Sequence, residues 1–290
     1  MRALPKLPAW TAAALVALAG CLLTGEGLRF LEGVRQREAA ARQDQRIEAA
    51  RSALETALHR DEDLLFAGRA FLNGSTDVSA QDWRGFVASL DLPARHPGLK
   101  SMAFLVPVPR GGAETYLAAR RRAGQALELH DRFTPWPGDP APGPPDPDLI
   151  VIQYLEPAAT NLGGLGLDAG ANPVQRQAAE EARDTGRPVL TGRLTFGDLS
   201  QRDPAMGYFL PVYRGGVDPG TSEVRRQRLV GWISLGLWAR PLFQGVFQAA
   251  GCAGQDAIEA VDAGPAGASR GLGAVLYGEG GPLGATWRAV

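Results

Sequence analysis

The 290-residue sequence has few of the residues that build disulfides and transition-metal sites. It contains two cysteines, Cys21 and Cys252, and three widely separated histidines. Cys21 falls within an apolar N-terminal run, so the two cysteines are poor candidates for a disulfide. No cysteine or histidine cluster has the spacing of a zinc site. We therefore expect no bound metal, although carboxylate sites stay open on this argument. We also expect no cofactor, because the glycine-rich segment 164–169 neither follows a strand directly nor opens a helix, as a dinucleotide turn should.

The sequence also lacks an excess of charge of either sign. Its 30 basic and 31 acidic residues leave a formal net charge of -1, whereas proteins that bind nucleic acid present a basic face. Hydrophobic residues make up 45% of the chain and charged residues 21%, which is ordinary globular usage. The composition predicts a protein with a sizeable core and no nucleic-acid partner.

One N-terminal segment lacks charge altogether. No charged residue occurs between Leu7 and Gly25, and a helix of this length spans roughly 28 Å, enough for a bilayer core. Arg2 and Lys6 precede the segment, which favours a cytoplasmic N-terminus. We expect an anchor in the bacterial inner membrane and a main body that is periplasmic or extracellular.

Two alternatives to this anchor remain open. The segment could be a cleaved signal peptide, or the chain could be a lipoprotein. Leu18-Ala19-Gly20-Cys21 resembles a lipobox, in which the cysteine is lipidated after cleavage. The apolar Leu22 and Leu23, which follow the cysteine, favour the uncleaved anchor. All three interpretations place most of the chain outside the cytoplasm.

A long helix is predicted from Val34 to Leu72, because this stretch is rich in good helix formers. Arg51, Asp61 and Gly68 interrupt an apolar seam with heptad-like spacing,. This seam allows a stalk that forms a homodimer or a helix that packs on its own domain, and the two can apply to different stretches. The seam positions are Ile47, Leu54, Leu58, Leu65 and Leu72.

The remaining pattern mixes helices and strands and predicts an α+β fold. Residues 134–148 are rich in proline and predict a loop. Predicted helices cover 79–90, 113–125, 172–185 and 241–250. Predicted strands cover 100–108, 149–155, 189–196, 207–213, 229–237, 258–261, 274–277 and 285–290.

Several groups of residues, taken in order and spacing, resemble the CHASE domain, the extracytoplasmic sensory domain of receptor histidine kinases and cyclases. The resemblance covers roughly residues 83–245. The residues that carry it are Trp83-Arg84-Gly85-Phe86, His96-Pro97-Gly98-Leu99, Tyr154-Leu155-Glu156-Pro157, the most specific stretch 182–192, Phe209-Leu210-Pro211-Val212-Tyr213-Arg214 and Leu229-Val230-Gly231-Trp232.

The resemblance implies a stalk helix followed by tandem PAS-like antiparallel-sheet units. Together with the charge-free segment, it divides the chain into a membrane anchor or export signal (1–26), a stalk helix (27–75), a membrane-distal PAS-like unit (76–240) and all or part of a membrane-proximal PAS-like unit (241–290). We expect a second membrane helix and an output domain to be absent from this chain.

The resemblance also implies a small-molecule site in the membrane-distal unit. Gln175 stands where cytokinin receptors hold adenine with an acidic residue. Since an amide donates as well as accepts hydrogen bonds, cytokinin specificity does not carry over. The residues implied as ligand-binding are Thr191, Phe209, Gln175, Arg193, Tyr154 and Tyr213.

No assembled catalytic constellation is found in the sequence, so we expect no enzyme activity. It has neither a Gly-x-Ser-x-Gly elbow nor a phosphate-binding loop, and His96, in an Arg-His-Pro-Gly turn, is predicted to lie at the surface. The predicted function is the small-molecule input module of a membrane receptor. The alternative is a free-standing lipoprotein that binds a ligand.

Overall fold

The computed structural model describes residues 9–96, 98–131, 148–161, 163–194, 204–252, 258–262 and 274–279. The predicted strand at 285–290 and nearly all of the predicted loop at 134–148 lie outside these residues. The chain forms two compact units, residues 1–51 and 52–290, and each is described by itself.

The first long helix, α1, extends from Ala9 to Asn73, so it begins well before the predicted start at Val34. Among the described residues, no helix is long and apolar enough to cross a bilayer. The predicted membrane segment starts at Leu7, which is outside the described residues. In the first unit, Leu22 and Phe30 of α1 are exposed.

The second unit contains the mixture of helices and antiparallel strands that the sequence predicts, so the α+β class is confirmed. Its helices are α2 (Ala80–Ser89), α3 (Leu92–Arg95), α4 (Ala113–Arg122), α5 (Pro173–Thr185), α6 (Ser222–Arg228) and α7 (Ala239–Ala249). Its strands are β1 (Leu99–Pro109), β2 (Asp148–Glu156), β3 (Val189–Leu190), β4 (Ala205–Tyr213), β5 (Leu229–Trp238), β6 (Ile258–Asp262) and β7 (Ala274–Glu279).

Five strands form one antiparallel sheet in the order β2-β1-β5-β4-β3. Successive side chains of a strand point to opposite faces, and both faces of this sheet are covered. Tyr208 and Leu210 of β4 join the core beneath α1 and α2, whereas Phe209 joins the core beneath α5. The strands β6 and β7 form a separate pair.

The last part of α1 packs on the sheet of its own unit. Leu65 is fully buried in the core. A Cβ added at Gly68 would lie 2.5 Å from Cε of Met102, so glycine lets the helix approach β1. Of the two alternatives for the apolar seam, packing on its own domain therefore applies at Leu65, because the protein's own core covers this side chain.

His96 is buried, which corrects its predicted surface position. Its Nδ1 lies 2.9 Å from Oδ1 of Asp61 on α1, and both side chains are less than one-tenth exposed. Burial raises the pKa of Asp61, while the hydrogen bond with His96 acts against that rise. The acidic residue that interrupts the heptad pattern thus joins α1 to the turn before β1.

The strand predicted at 189–196 is much shorter in the structure. Its ladder with β4 covers Val189 and Leu190. At the next position the Gly207 N–H donates to the side-chain oxygen Oγ1 of Thr191 at 2.8 Å. This oxygen takes the place of the Thr191 backbone carbonyl, which would accept the bond in a regular ladder. A side-chain bond of this kind competes with the regular ladder, and the chain leaves the sheet except for a bridge at Leu194.

The predicted ends of α5 are confirmed. Asn172 caps its first turn by accepting from the Val174 N–H at 2.9 Å, and Pro173 occupies the first helical position, where no hydrogen-bond donor is needed. Gly186 ends the helix in the left-handed region at φ 75°, which glycine adopts without strain. These caps fix the helix that covers Phe209.

Candidate ligand-binding site

A cavity of about 600 Å³ opens at one end of the five-stranded sheet, on the face that α1 covers. Its lining comes from the last turn of α1, residues 75–78, α4, strands β1, β2, β4 and β5, and the turn at 214–216. All of these elements belong to the unit 52–290. The cavity volume lies within the usual range for small-molecule sites.

One wall of the cavity is aromatic and apolar. Phe104 and Tyr154 stack with ring centroids 6.2 Å apart, and Val212 and Val230 add aliphatic surface. The hydroxyl of Tyr154 donates to the Val78 carbonyl at 2.6 Å. This bond holds the tyrosine ring in place, so the wall is formed before any ligand enters.

The polar part of the lining centres on Arg120, from α4. Its Nη1 donates to the Tyr154 hydroxyl at 3.4 Å, and its guanidinium carbon lies 5.9 Å from the ring centre of Tyr116. Its Nε is buried and, among the described residues, finds no acceptor. Nor does any described carboxylate form an ion pair with this side chain.

Gln153 also lines the cavity and is buried, and it shares Tyr116 as a neighbour with Arg120. Its Oε1 accepts from the Tyr116 hydroxyl at 3.1 Å, and its backbone carbonyl accepts from Gln125 Nε2 at 2.5 Å. Burial raises the pKa of Tyr116 to about 12, so this tyrosine remains a donor at neutral pH. The hydrogen bond from Tyr116 to Oε1 sets the orientation of the Gln153 side-chain amide. The amide nitrogen Nε2 is thus available to donate.

Among the described residues, three charged side chains contribute to the lining: Arg120, Arg214 and Asp77. Arg214 and Asp77 are exposed, whereas Arg120 is half-buried. Two cations and one anion give the lining a positive balance. The cavity therefore offers hydrogen-bond donors and positive charge at one place and apolar surface at another.

The six residues implied as ligand-binding do not share one site. Tyr154 and Tyr213 line the cavity. Phe209, 1% exposed, belongs to the core on the opposite face of the sheet. Gln175 lies on the buried face of α5, and Arg193 is half-buried beyond β3.

Two of these side chains are already engaged within the protein. The Thr191 hydroxyl accepts from the Gly207 N–H and donates to the Gly192 carbonyl at 2.7 Å. The Tyr213 hydroxyl donates to the Arg183 carbonyl at 2.5 Å, and burial raises the pKa of Tyr213 to about 12. In this structure both groups join neighbouring segments, and their ligand-binding role stays a prediction.

The sequence analysis did not predict Arg120 or Gln153 as site residues. Gln153 does give a signal, since it is the one polar side chain within the apolar run Leu149–Leu155. Arg120 opens a row of three arginines, and such a row does not tell which one lines a cavity.

Many residues that carried the family resemblance contact one another across the fold. Arg84 Nε lies 3.0 Å from Oε1 of Glu156, and the rings of Trp83 and Tyr154 stack at 6.2 Å. These contacts join α2 to the end of β2. The motif group at 83–86 and the motif group at 154–157 thus meet in one place.

The later motif residues hold α5 against the sheet. The Trp232 indole donates from Nε1 to the Ala179 carbonyl at 2.7 Å. At the end of α5, Asp184 Oδ2 lies 2.5 Å from Arg226 Nη2 and Oδ1 lies 2.8 Å from Arg183 Nε. These guanidinium groups hold the pKa of the Asp184 carboxyl well below its usual range.

A family model of the CHASE domain matches residues 76–270, which is more than half of the chain. The chain belongs to the CHASE domain family. CHASE domains are extracytoplasmic sensory modules, and this chain therefore carries one. A search of curated proteins finds no match to the chain. The CHASE match includes every strand of the five-stranded sheet, and its first residue follows the last turn of α1 closely.

Proposed function

We propose that the chain is the input module of a membrane signal-transduction receptor and binds a small molecule outside the cytoplasm. The observation that carries this proposal is the CHASE domain at residues 76–270. The cavity at the end of the sheet supports it, because a preformed, partly apolar cleft with a few polar groups is the usual form of a small-molecule site.

The proposed topology places the N-terminus in the cytoplasm, an anchor in the charge-free segment 7–25 and the CHASE domain outside the membrane. The basic residues before this segment support that direction of insertion. We further propose that two copies pair through the part of α1 before Asp61. Leu54 and Leu58 are half-buried there, which leaves apolar surface for a second helix.

The topology is tested with two reporter fusions after Val290. Alkaline phosphatase is active only outside the cytoplasm, and β-galactosidase only within it. We expect the phosphatase fusion to be active and the β-galactosidase fusion to be inactive in cells that contain equal amounts of each. The reverse pattern would contradict the proposed function.

The second candidate is a free-standing lipoprotein that binds the same ligand. The observation in its favour is the sequence Leu18-Ala19-Gly20-Cys21, in which Cys21 is an exposed free thiol. Radiolabelled palmitate distinguishes the two candidates. Incorporation that is lost in Cys21→Ser supports the lipoprotein, while no incorporation contradicts it.

A further inference from the structure

The Arg120 side chain carries a charge that the described part of the protein does not neutralise. A guanidinium stays protonated at all physiological pH values, and a partly buried charge is costly unless a partner compensates it. The Tyr154 hydroxyl contributes one long hydrogen bond at 3.4 Å and no charge. No described anionic group therefore pairs with Arg120 where it lines the cavity.

Gln153 adds a second donor at the same part of the cavity. Because the Tyr116 hydroxyl occupies its Oε1, the amide nitrogen has the free donor capacity. A planar guanidinium and a neighbouring amide match the two oxygens of one carboxylate, with which arginine pairs well. Asp77, which also lines the cavity, would repel a second negative charge on the ligand.

The rest of the lining favours an organic body on that anion. The stacked rings of Phe104 and Tyr154 and the side chains of Val212 and Val230 present apolar surface. An inorganic ion would leave this wall in contact with water. A molecule with a carboxylate at one end and an apolar group at the other satisfies both parts.

We propose that this cavity binds a small organic monocarboxylate, with Arg120 and Gln153 as donors to the carboxylate and the Phe104–Tyr154 wall against the apolar body. The inference rests on the proposed function, since it names the ligand class of the sensor. It uses a site on the opposite face of the sheet from Phe209, one of the residues that the family resemblance implied.

The test is calorimetric titration of the full chain, purified in mild detergent, with acetate, benzoate and indole-3-acetate. Each acid is paired with its amide, which keeps the shape and removes the charge, and inorganic phosphate is titrated beside them. We expect at least one acid to bind saturably and its amide to bind about tenfold or more weakly, because hydrogen bonds to charged groups are the stronger ones.

The matched variants are Arg120→Gln and Arg121→Gln, which remove the same charge from adjacent positions of α4. Arg121 is exposed and does not line the cavity. We expect Arg120→Gln to weaken binding of the acid by about tenfold or more, and Arg121→Gln to leave it unchanged. If Arg120→Gln does not fold, Arg120→Lys keeps the charge but loses the planar pairing, and should also weaken binding.

Three results would overturn the carboxylate site. They are the failure of all three acids to bind, equal binding of an acid and its amide, and equal effects of the two arginine variants. Binding of phosphate alone, dependent on Arg120, would assign the site to phosphate instead. The reporter fusions do not depend on any ligand, so failure of this site and failure of the proposed topology are separate outcomes.

Discussion

The buried contact between Asp61 and His96 gives the sharpest test of how α1 packs on its own domain. The two side chains approach to 2.9 Å, and the structure leaves each of them less than one-tenth exposed. On the next residue of α1, the Glu62 carboxylate accepts from the Tyr208 hydroxyl of β4. These contacts are polar points of attachment within an otherwise apolar interface.

The expected magnitude follows from the burial of both partners. Asp61→Ala leaves the His96 nitrogen without its partner, and His96→Ala does the same to the carboxylate. A buried polar group left unsatisfied costs about 1–3 kcal/mol. Each single change should therefore lower the free energy of unfolding by about that amount. In the double variant the contact is lost only once, so its loss of stability should be smaller than the sum of the two single losses. We expect this gap, the coupling energy, to be about 1–3 kcal/mol.

The assay is urea unfolding of the full chain, followed by tryptophan fluorescence, which reports on the buried Trp83 and Trp232. Asp63→Ala is the matched control, because Asp63 is exposed on the same helix; it should change the free energy of unfolding by less than about 0.5 kcal/mol. Asp61→Asn keeps an oxygen acceptor of the same shape and should lose less than Asp61→Ala.

Additivity of the two alanine changes would refute the reasoning. If the double variant loses the sum of the single losses to within about 0.5 kcal/mol, Asp61 and His96 are not partners in solution. The same result would remove the main polar contact by which we explain the interruption of the heptad pattern at Asp61.

Asp184→Asn should lower the free energy of unfolding near pH 6 by about 1 kcal/mol, which is seen as a lower melting temperature. The expected loss is small because the arginine partners of Asp184 are partly exposed. A carboxyl with a depressed pKa stabilises the fold at pH values above its ordinary pKa of 3.8 and loses that effect as the pH falls. The stability difference between the wild-type chain and Asp184→Asn should therefore shrink towards about pH 2.5. A difference that does not change with pH would count against the ion pairs. Leu54→Cys, in a chain whose native cysteines are serine, should form disulfide-linked dimers in membranes, whereas the exposed Glu55→Cys should not. Equal crosslinking at the two positions would argue against a seam.

Local patterns predicted most of the secondary structure because the helices and strands have clear periodicity and end signals. The Asn-Pro start and glycine end of α5 are examples, since their effects act within a few residues of the chain. The exposed, highly charged α6 was not predicted. Its Arg225 guanidinium pairs with Asp218 at 2.8 Å and donates to the Asp184 carbonyl, so long-range contacts support it.

The partner of α1 could not be read from its sequence. Heptad spacing shows that a helix has an apolar stripe, but a dimer partner and the protein's own sheet can cover such a stripe equally well. Asp61 and Gly68 looked like defects in a coiled coil. In the structure they are sites of contact, one with His96 and the other with Met102, and both contacts depend on residues distant in sequence.

The candidate site was harder to predict than the fold. A family position can indicate that Thr191 lies near a pocket, but only the register with β4 shows that its hydroxyl receives the Gly207 N–H. Arg120 and Gln153 come together because α4 packs beside β2, and Tyr116 fixes the amide. No pattern within either segment contains that information.

The position of the cavity suggests how a bound carboxylate would act on the domain. Tyr154 both lines the cavity and stacks on Trp83 of α2, and Leu72 of α1 also lines the cavity. A ligand can shift a conformational equilibrium only through contacts that differ between the two states. A ligand that filled this cavity would contact both the last turn of α1 and the sheet, because both line it. Ligand binding would therefore influence the packing between this end of α1 and the CHASE domain.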